Sequence, residues 1–170
     1  LFLTEAQGVG LAPSTANWVQ SLGQVAEVAV LLMLGTSLRR FGIKRILLVG
    51  IAAQSLRFAL FALGEPAWLM AAAMSLHGFV FTFYAVGITI AVDEMSDVDN
   101  RASAQGLMSM IRGGAGSLLG NYLAGTTYDR LAMDGGGHEW TWFFLVPAMV
   151  TGVGLIAFGL VFRQSRRRRS

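Results

Sequence analysis

Apolar residues in this chain come in long blocks, not in the strict alternation of a half-buried strand or the narrow stripe of a soluble amphipathic helix. Five blocks stand out, at about 18–38, 46–63, 67–92, 102–126 and 141–162. The first holds VAEVAVLLML and the second ILLVGIAAQSLRFALFAL. The third reads WLMAAAMSLHGFVFTFYAVGITIAV, the fourth is the glycine-rich GLMSMIRGGAGSLLGNYLAG, and the fifth is WFFLVPAMVTGVGLIAFGLVF. Each is too long for a core strand and close to the roughly 20 residues that a helix needs to cross a bilayer. The pattern predicts an all-α polytopic membrane protein.

The connectors set its orientation. Loop 39–45 (RRFGIKR) carries four positive residues, loop 64–66 none, loop 93–101 (DEMSDVDNR) only Arg101, and loop 127–140 only Arg130. The tail carries Arg163, Arg166, Arg167, Arg168 and Arg169. Positive residues mark the cytoplasmic side, which puts 39–45, 93–101 and the tail inside and 4–17 outside. The expectation is a multi-pass protein of the cytoplasmic (inner) membrane with a cytoplasmic C-terminus. Trp68, Trp140 and Trp142 fall at outer span ends, where indoles favour the interface, and Gly135, Gly136 and Gly137 mark an outer turn. Leu1-Phe2-Leu3 reads as the end of an earlier helix, so the chain is expected to be a fragment whose N-terminal half is missing.

Composition agrees. The chain is 54% apolar and only 14% charged, against about 25% charged in a soluble domain, and its mean hydropathy is +0.57. The net charge of +3 is dominated by the tail. A basic run directly after an apolar span is an anchor to the membrane surface more than a nucleic-acid patch, so no nucleic-acid partner is expected. With no cysteine, there are no disulfides or thiolate metal sites. No His/Asp metal cluster and no Ser/His/Asp set lies at a membrane face, and Asp134, His138 and Glu139 share a loop with three glycines. GGAGSLLG follows no strand and lacks phosphate-loop spacing. No metal, cofactor or enzymatic activity is expected.

Four ionisable residues interrupt the blocks. Glu27, Arg57, His77 and Arg112 each sit about 10–12 residues into a span, near mid-bilayer at about 1.5 Å per residue. Groups at that depth are costly and usually face a partner or a wet cavity. Gln20, Gln24 and Glu27 share a face at i, i+4, i+7, as do His77, Phe81 and Tyr84. Ser109, Arg112, Gly116 and Gly120 form a further stripe, with Gly116 and Gly120 suited to close helix packing. Gln54 accompanies Arg57, which is read as structural. Glu27 is either an ion-pair partner of Arg57 or Arg112, or a substrate acceptor and proton carrier, since burial raises a carboxyl pKa while a nearby arginine lowers it. Arg39, Arg40, Asp93, Glu94 and Arg101 are candidates for a cytoplasmic gate.

The runs SLGQVAEVAVLLML, LRRFGIKRILLVG, LRFALFALGEP and NRASAQGLMSMIRGGAG, in this order and with these loop lengths, resemble the nucleoside:proton symporter family of the major facilitator superfamily. The resemblance covers nearly the whole chain. It aligns the five spans with helices 8–12 of a twelve-helix transporter, part of the C-terminal six-helix half, with helices 8, 10 and 11 facing the central cavity. It implies a carrier for a nucleoside and a proton, in which Gln24 and Glu27 contact the nucleoside and His77 and Phe81 supply the helix 10 pair. Tyr84 and Arg112 join the candidate substrate site, and Glu27 is the proton-coupling candidate. The chain departs from the family pattern at His77 (a tyrosine in better-known members), Thr82 (an acid) and Arg112 (a neutral polar residue). The alternative is a facilitator carrier for another polar or anionic solute, such as a sugar or organic acid, with Arg112 as the clamp.

Overall fold

The computed structural model describes residues 2–4, 9–132 and 138–162. Asp134, the turn at 135–137 and the arginine tail lie outside the described residues.

Pro13–Leu63 is helical except at Gly42, whose φ of 75° and ψ of 161° leave the helical region. Glycine reaches such a φ without a Cβ clash. The chain doubles back there, since Ala16 and Phe61 share one apolar cluster while Val30, Leu34 and Ile46 share another. We label the arm 13–41 α1 and the arm 43–63 α2. The loop expected at 39–45 therefore shrinks to one glycine. Arginine and lysine are good helix formers, so the drop in hydropathy there marks a change of surroundings and not the end of a helix. Lys44 Nζ donates to Gly159 O at 2.9 Å, satisfying a carbonyl near a helix C-terminus.

Pro13 opens α1, a position where its missing N–H is not needed. Gly64, at φ 73°, closes α2, and its N–H bonds Phe61 O at 3.2 Å. The third helix, α3, runs through Ala67–Phe79, a wide turn Val80–Val86 and Gly87–Met95. A short 3-10 turn Val98–Asn100 leads into α4, made of Arg101–Ser109, a second wide turn Met110–Gly116 and Ser117–Arg130. The last helix, α5, is Trp140–Val161, with Pro147 inside it and Ser55 Oγ donating to Ala148 O at 2.9 Å.

Pro13–Leu63, Trp68–Met95 and Trp140–Val161 are long and apolar enough to cross a membrane. The helix α4 is not among them, because Arg112, Asn121 and its glycines lower its hydropathy.

Three apolar clusters knit α1, α2, α3 and α5 together. At the end where α1 begins, Phe2, Ala16, Phe61, Met70, Ala73 and Trp140 are buried, with Phe144 packed against them. Trp140 thus belongs to the core, whereas Trp68 and Trp142 are exposed. The other clusters hold Val30, Leu34, Ile46 and Phe83, and Ile43, Leu47 and Ala91.

Glycine sets the closest approaches. A Cβ on Gly78 of α3 would lie 2.5 Å from the Ala26 carbonyl carbon and oxygen and 2.7 Å from Glu27 N. A Cβ on Gly50 of α2 would lie 2.6 Å from Tyr84 N. At both points main chain rests on main chain. The pair singled out for this role, Gly116 and Gly120, does not play it among the described residues. A Cβ on Gly120 would meet nothing within 4 Å, and one on Gly116 would meet Ile111 O of its own helix at 2.9 Å. Close packing needs a facing helix as well as small residues, and α4 has none on that side among the described residues.

Thr82 lies in the wide turn of α3 with no accessible surface, its Oγ1 donating weakly to Glu27 O at 3.5 Å. Two outcomes are expected in thermal melts of detergent-purified protein. Gly78→Leu forces α1 from α3 and lowers stability by about 1–3 kcal/mol, more than Gly120→Leu does. Thr82→Val stays within about 1 kcal/mol of the parent, whereas Thr82→Asp, a buried carboxyl with no partner, costs about 1–3 kcal/mol or more.

Candidate functional site

The glycine contact at position 78 decides the site. It lays α3 against α1 at Glu27, so that His77, one residue earlier, comes level with the carboxylate. His77 Nε2 lies 3.9 Å from Glu27 Oε2, and both side chains are partly exposed. Gly23 allows the same approach, since its Cβ would lie 3.3 Å from His77 Cβ.

Arg57 reaches in from α2. Its Nη1 lies 3.2 Å from His77 Nδ1, its Nη2 is 3.9 Å from Met74 Sδ, and its guanidinium stands over the Phe61 ring at 5.2 Å. A guanidinium only donates, so Nδ1 accepts this hydrogen bond. Arg57 Nε and, one turn earlier, Gln54 Oε1 are buried without hydrogen-bond partners. The result is a polar chain, Arg57–His77–Glu27, spanning three helices in an apolar setting.

Two members of that polar chain, Arg57 and His77, line a pocket of about 470 Å³. From α1 come Asn17, Gln20 and Gln24, from α2 Arg57 and Phe61, from α3 Met74 and His77, and from α5 Phe144. The pocket is amphipathic, lined by amides and a cation together with aromatic rings. That combination suits a ligand with a flat apolar body and polar edges.

Of the residues expected at the site, Gln24 and His77 line the pocket and Glu27 adjoins it through His77. Phe81 and Tyr84 are exposed on α3 and do not line it. Their spacing from His77 gives one face only on a regular helix. The wide turn Val80–Val86 intervenes, and a turn closed by i→i+5 bonds holds more residues than 3.6. Arg112 is likewise apart. Its Nη1 donates to Ala85 O at 2.8 Å, and Ala85 is eight residues along α3 from His77, about 12 Å at 1.5 Å per residue. The four midplane groups thus resolve into a connected three and a separate one. Arg57, taken from the sequence as structural, contacts His77, one of the expected site residues. Its i–3 glutamine and its place in a run of apolar residues were the only local signal, and the contact to His77 is tertiary.

The gate candidates divide in a similar way. Arg101 Nε and Asp93 Oδ1 form a close ion pair at 2.9 Å, both about two-fifths exposed. Arg39 donates to Thr36 Oγ1 at 3.4 Å, and Arg40 stands over the Phe41 ring at 5.3 Å, each within its own helix. Glu94 is exposed. Arg101 belongs to a seam that sequence reading missed. Gln105 Nε2 donates to Thr89 O at 2.7 Å, so Arg101, Gln105 and Arg112 of α4 bond to Asp93, Thr89 and Ala85 of α3.

Comparison with known proteins agrees with this architecture. The chain is 36% identical over 132 residues to the xanthosine permease of Escherichia coli K12, covering 75% of this chain and 31% of that protein. It is 31% identical over 157 residues to the nucleoside permease NupG of the same organism, covering 90% of this chain and 37% of that protein. The crystal structure of nucleoside transporter NupG superposes with a TM-score of 0.80 at 30% identity, over 88% of this chain and 38% of that one. A mutant form of it gives 0.81. The chain therefore spans well under half the length of these relatives. Residues 1–167 match the Nucleoside H+ symporter family, and the chain belongs to that family of membrane transport proteins.

Proposed function

We propose that this chain forms part of the C-terminal half of a proton-coupled nucleoside carrier of the cytoplasmic membrane. The observation that carries this reading is the Arg57–His77–Glu27 chain beside an amphipathic pocket, in a member of the Nucleoside H+ symporter family. The carrier moves a solute without transforming it.

In this reading the two helical halves rock about a midplane site and expose it alternately to each side. The partner of these helices is the N-terminal half of the same protein, and α4, which has no buried residue among those described, offers it a face. Gln24 and Glu27 hydrogen-bond a ribose or a base edge. Phe81 stacks on the base once both halves enclose the cavity, and Tyr84 and Arg112 contribute from the same side. His77 orients the ligand. Glu27 is the proton carrier, being the midplane acid of this half. The Arg101–Asp93 pair, with Glu94, Arg39 and Arg40, acts as the cytoplasmic gate, with the C-terminus on that side.

The test is uptake of radiolabelled uridine and adenosine by cells expressing the full-length protein, with and without a protonophore. Uptake is expected to collapse with the protonophore. Glu27→Gln is expected to lower accumulation about tenfold or more, as loss of a hydrogen bond to a charged group does. Accumulation that survives Glu27→Gln would remove the proton role from Glu27. Absence of nucleoside uptake, with uptake of an anion that Arg112→Ala abolishes, would favour a carrier of anionic solutes.

A further inference from the structure

Arg57 is the one member of the polar chain that the transport reading does not use, and it makes the shorter contact. The guanidinium has five N–H groups and no lone pair to offer. Facing it at 3.2 Å, His77 Nδ1 has to present its lone pair. A neutral imidazole with a bare Nδ1 carries its hydrogen on Nε2. Nε2 is the atom nearest Glu27 Oε2, at 3.9 Å, so a donor faces an acceptor just beyond hydrogen-bond distance. A second proton could enter the ring only at Nδ1, and it would then meet an N–H of Arg57 head-on. Among the described residues, Glu27 from α1 and Arg57 from α2 are the charged groups that face this ring, and the pocket wall from α5 is Phe144.

We propose that Arg57 is a positioning residue of this site: it fixes His77 as the Nε2–H tautomer, making the ring a permanent hydrogen-bond donor beside Glu27 and not a proton carrier. The inference rests on the reading of Glu27 and His77 as ligand-facing groups. It adds a selection rule. A ligand lying alongside the pair must offer an acceptor, such as a hydroxyl or carbonyl oxygen or a bare ring nitrogen, to Nε2. It must offer a donor to the carboxylate. The pair thus selects edges on which an acceptor and a donor stand side by side.

The test uses full-length protein labelled with ¹⁵N-histidine in lipid nanodiscs, with the His77 resonances assigned by their loss in His77→Gln. The parent is expected to show a bare Nδ1 and a protonated Nε2 across the neutral pH range. Arg57→Met is expected to release the ring to a mixture of tautomers that gains a second proton on acidification. Arg57→Lys, which keeps a cation that only donates, is expected to preserve the parent pattern. A protonated Nδ1 in the parent, or unchanged His77 signals in Arg57→Met, would overturn the proposal. In uptake assays, Arg57→Met is expected to raise the half-saturation concentration about three- to tenfold, the effect of misplacing one hydrogen bond. Made in a His77→Gln background it should add nothing further, whereas a merely structural role for Arg57 would give additive losses. If no nucleoside is carried but the tautomer is fixed and released as described, the nucleoside reading fails and the role of Arg57 stands. The converse result separates them in the other direction.

Discussion

A guanidinium placed among apolar helices must spend its hydrogen bonds on whatever acceptors stand within reach. For Arg57 these are an imidazole nitrogen, a thioether and the face of a ring. The site follows from that constraint. Among the described residues no carboxylate touches the cation directly, and the imidazole stands between Arg57 and Glu27. A direct Arg–Glu pair would neutralise itself and offer little to a ligand. Interposing a neutral donor keeps the carboxylate apart and its lone pairs within reach of the pocket.

The distances that make this possible are set by glycine. At Gly78 and Gly50 the helices rest main chain on main chain, and no change of side-chain rotamer can loosen such a contact. The three helices that carry Arg57, His77 and Glu27 therefore behave as a single stiff block, further tied by the aromatic cluster around Phe2, Phe61, Phe144 and Trp140. The helix α4 is attached differently. It buries no side chain among the described residues and is held to α3 by polar bonds. Stiffness where the polar chain must keep its geometry, and light attachment next to it, fits the alternating access proposed above.

Much of this was legible in the residues. Long apolar blocks gave the helices, and a charged or imidazole group in the middle of a block gave Glu27, His77 and Arg57 as points of interest. Gly64 closes α2 in the tight connector read at 64–66, whereas α1 begins at Pro13, ahead of the block read from about 18. Four features were not legible, each for a physical reason. Reading RRFGIKR as a loop treated charge as a helix breaker, although only Gly42 departs from helical geometry. The stripes through Phe81 and Arg112 assumed a constant 3.6 residues per turn, and a wide turn interrupts each one. The glycines that pack were not the spaced pair on α4 but Gly78 and Gly50, because packing depends on what faces a residue across the fold. The contact of Arg57 with His77 was hidden for the same reason, since its partner is twenty residues away on another helix.

The seam between α3 and α4 has an evolutionary consequence. Two of its three acceptors, Ala85 O and Thr89 O, are main-chain atoms. Any residue supplies a carbonyl, so side chains at 85 and 89 are free to drift without unfastening α4, while Gln105 and Arg112 are not. Two neighbouring helices that share one interface thus tolerate change unequally. Sequence variation within descendants of this chain should accumulate on the α3 side of the seam, leaving the α4 side comparatively constant. The α3 surface is then available for retuning toward new solutes at little cost to the join.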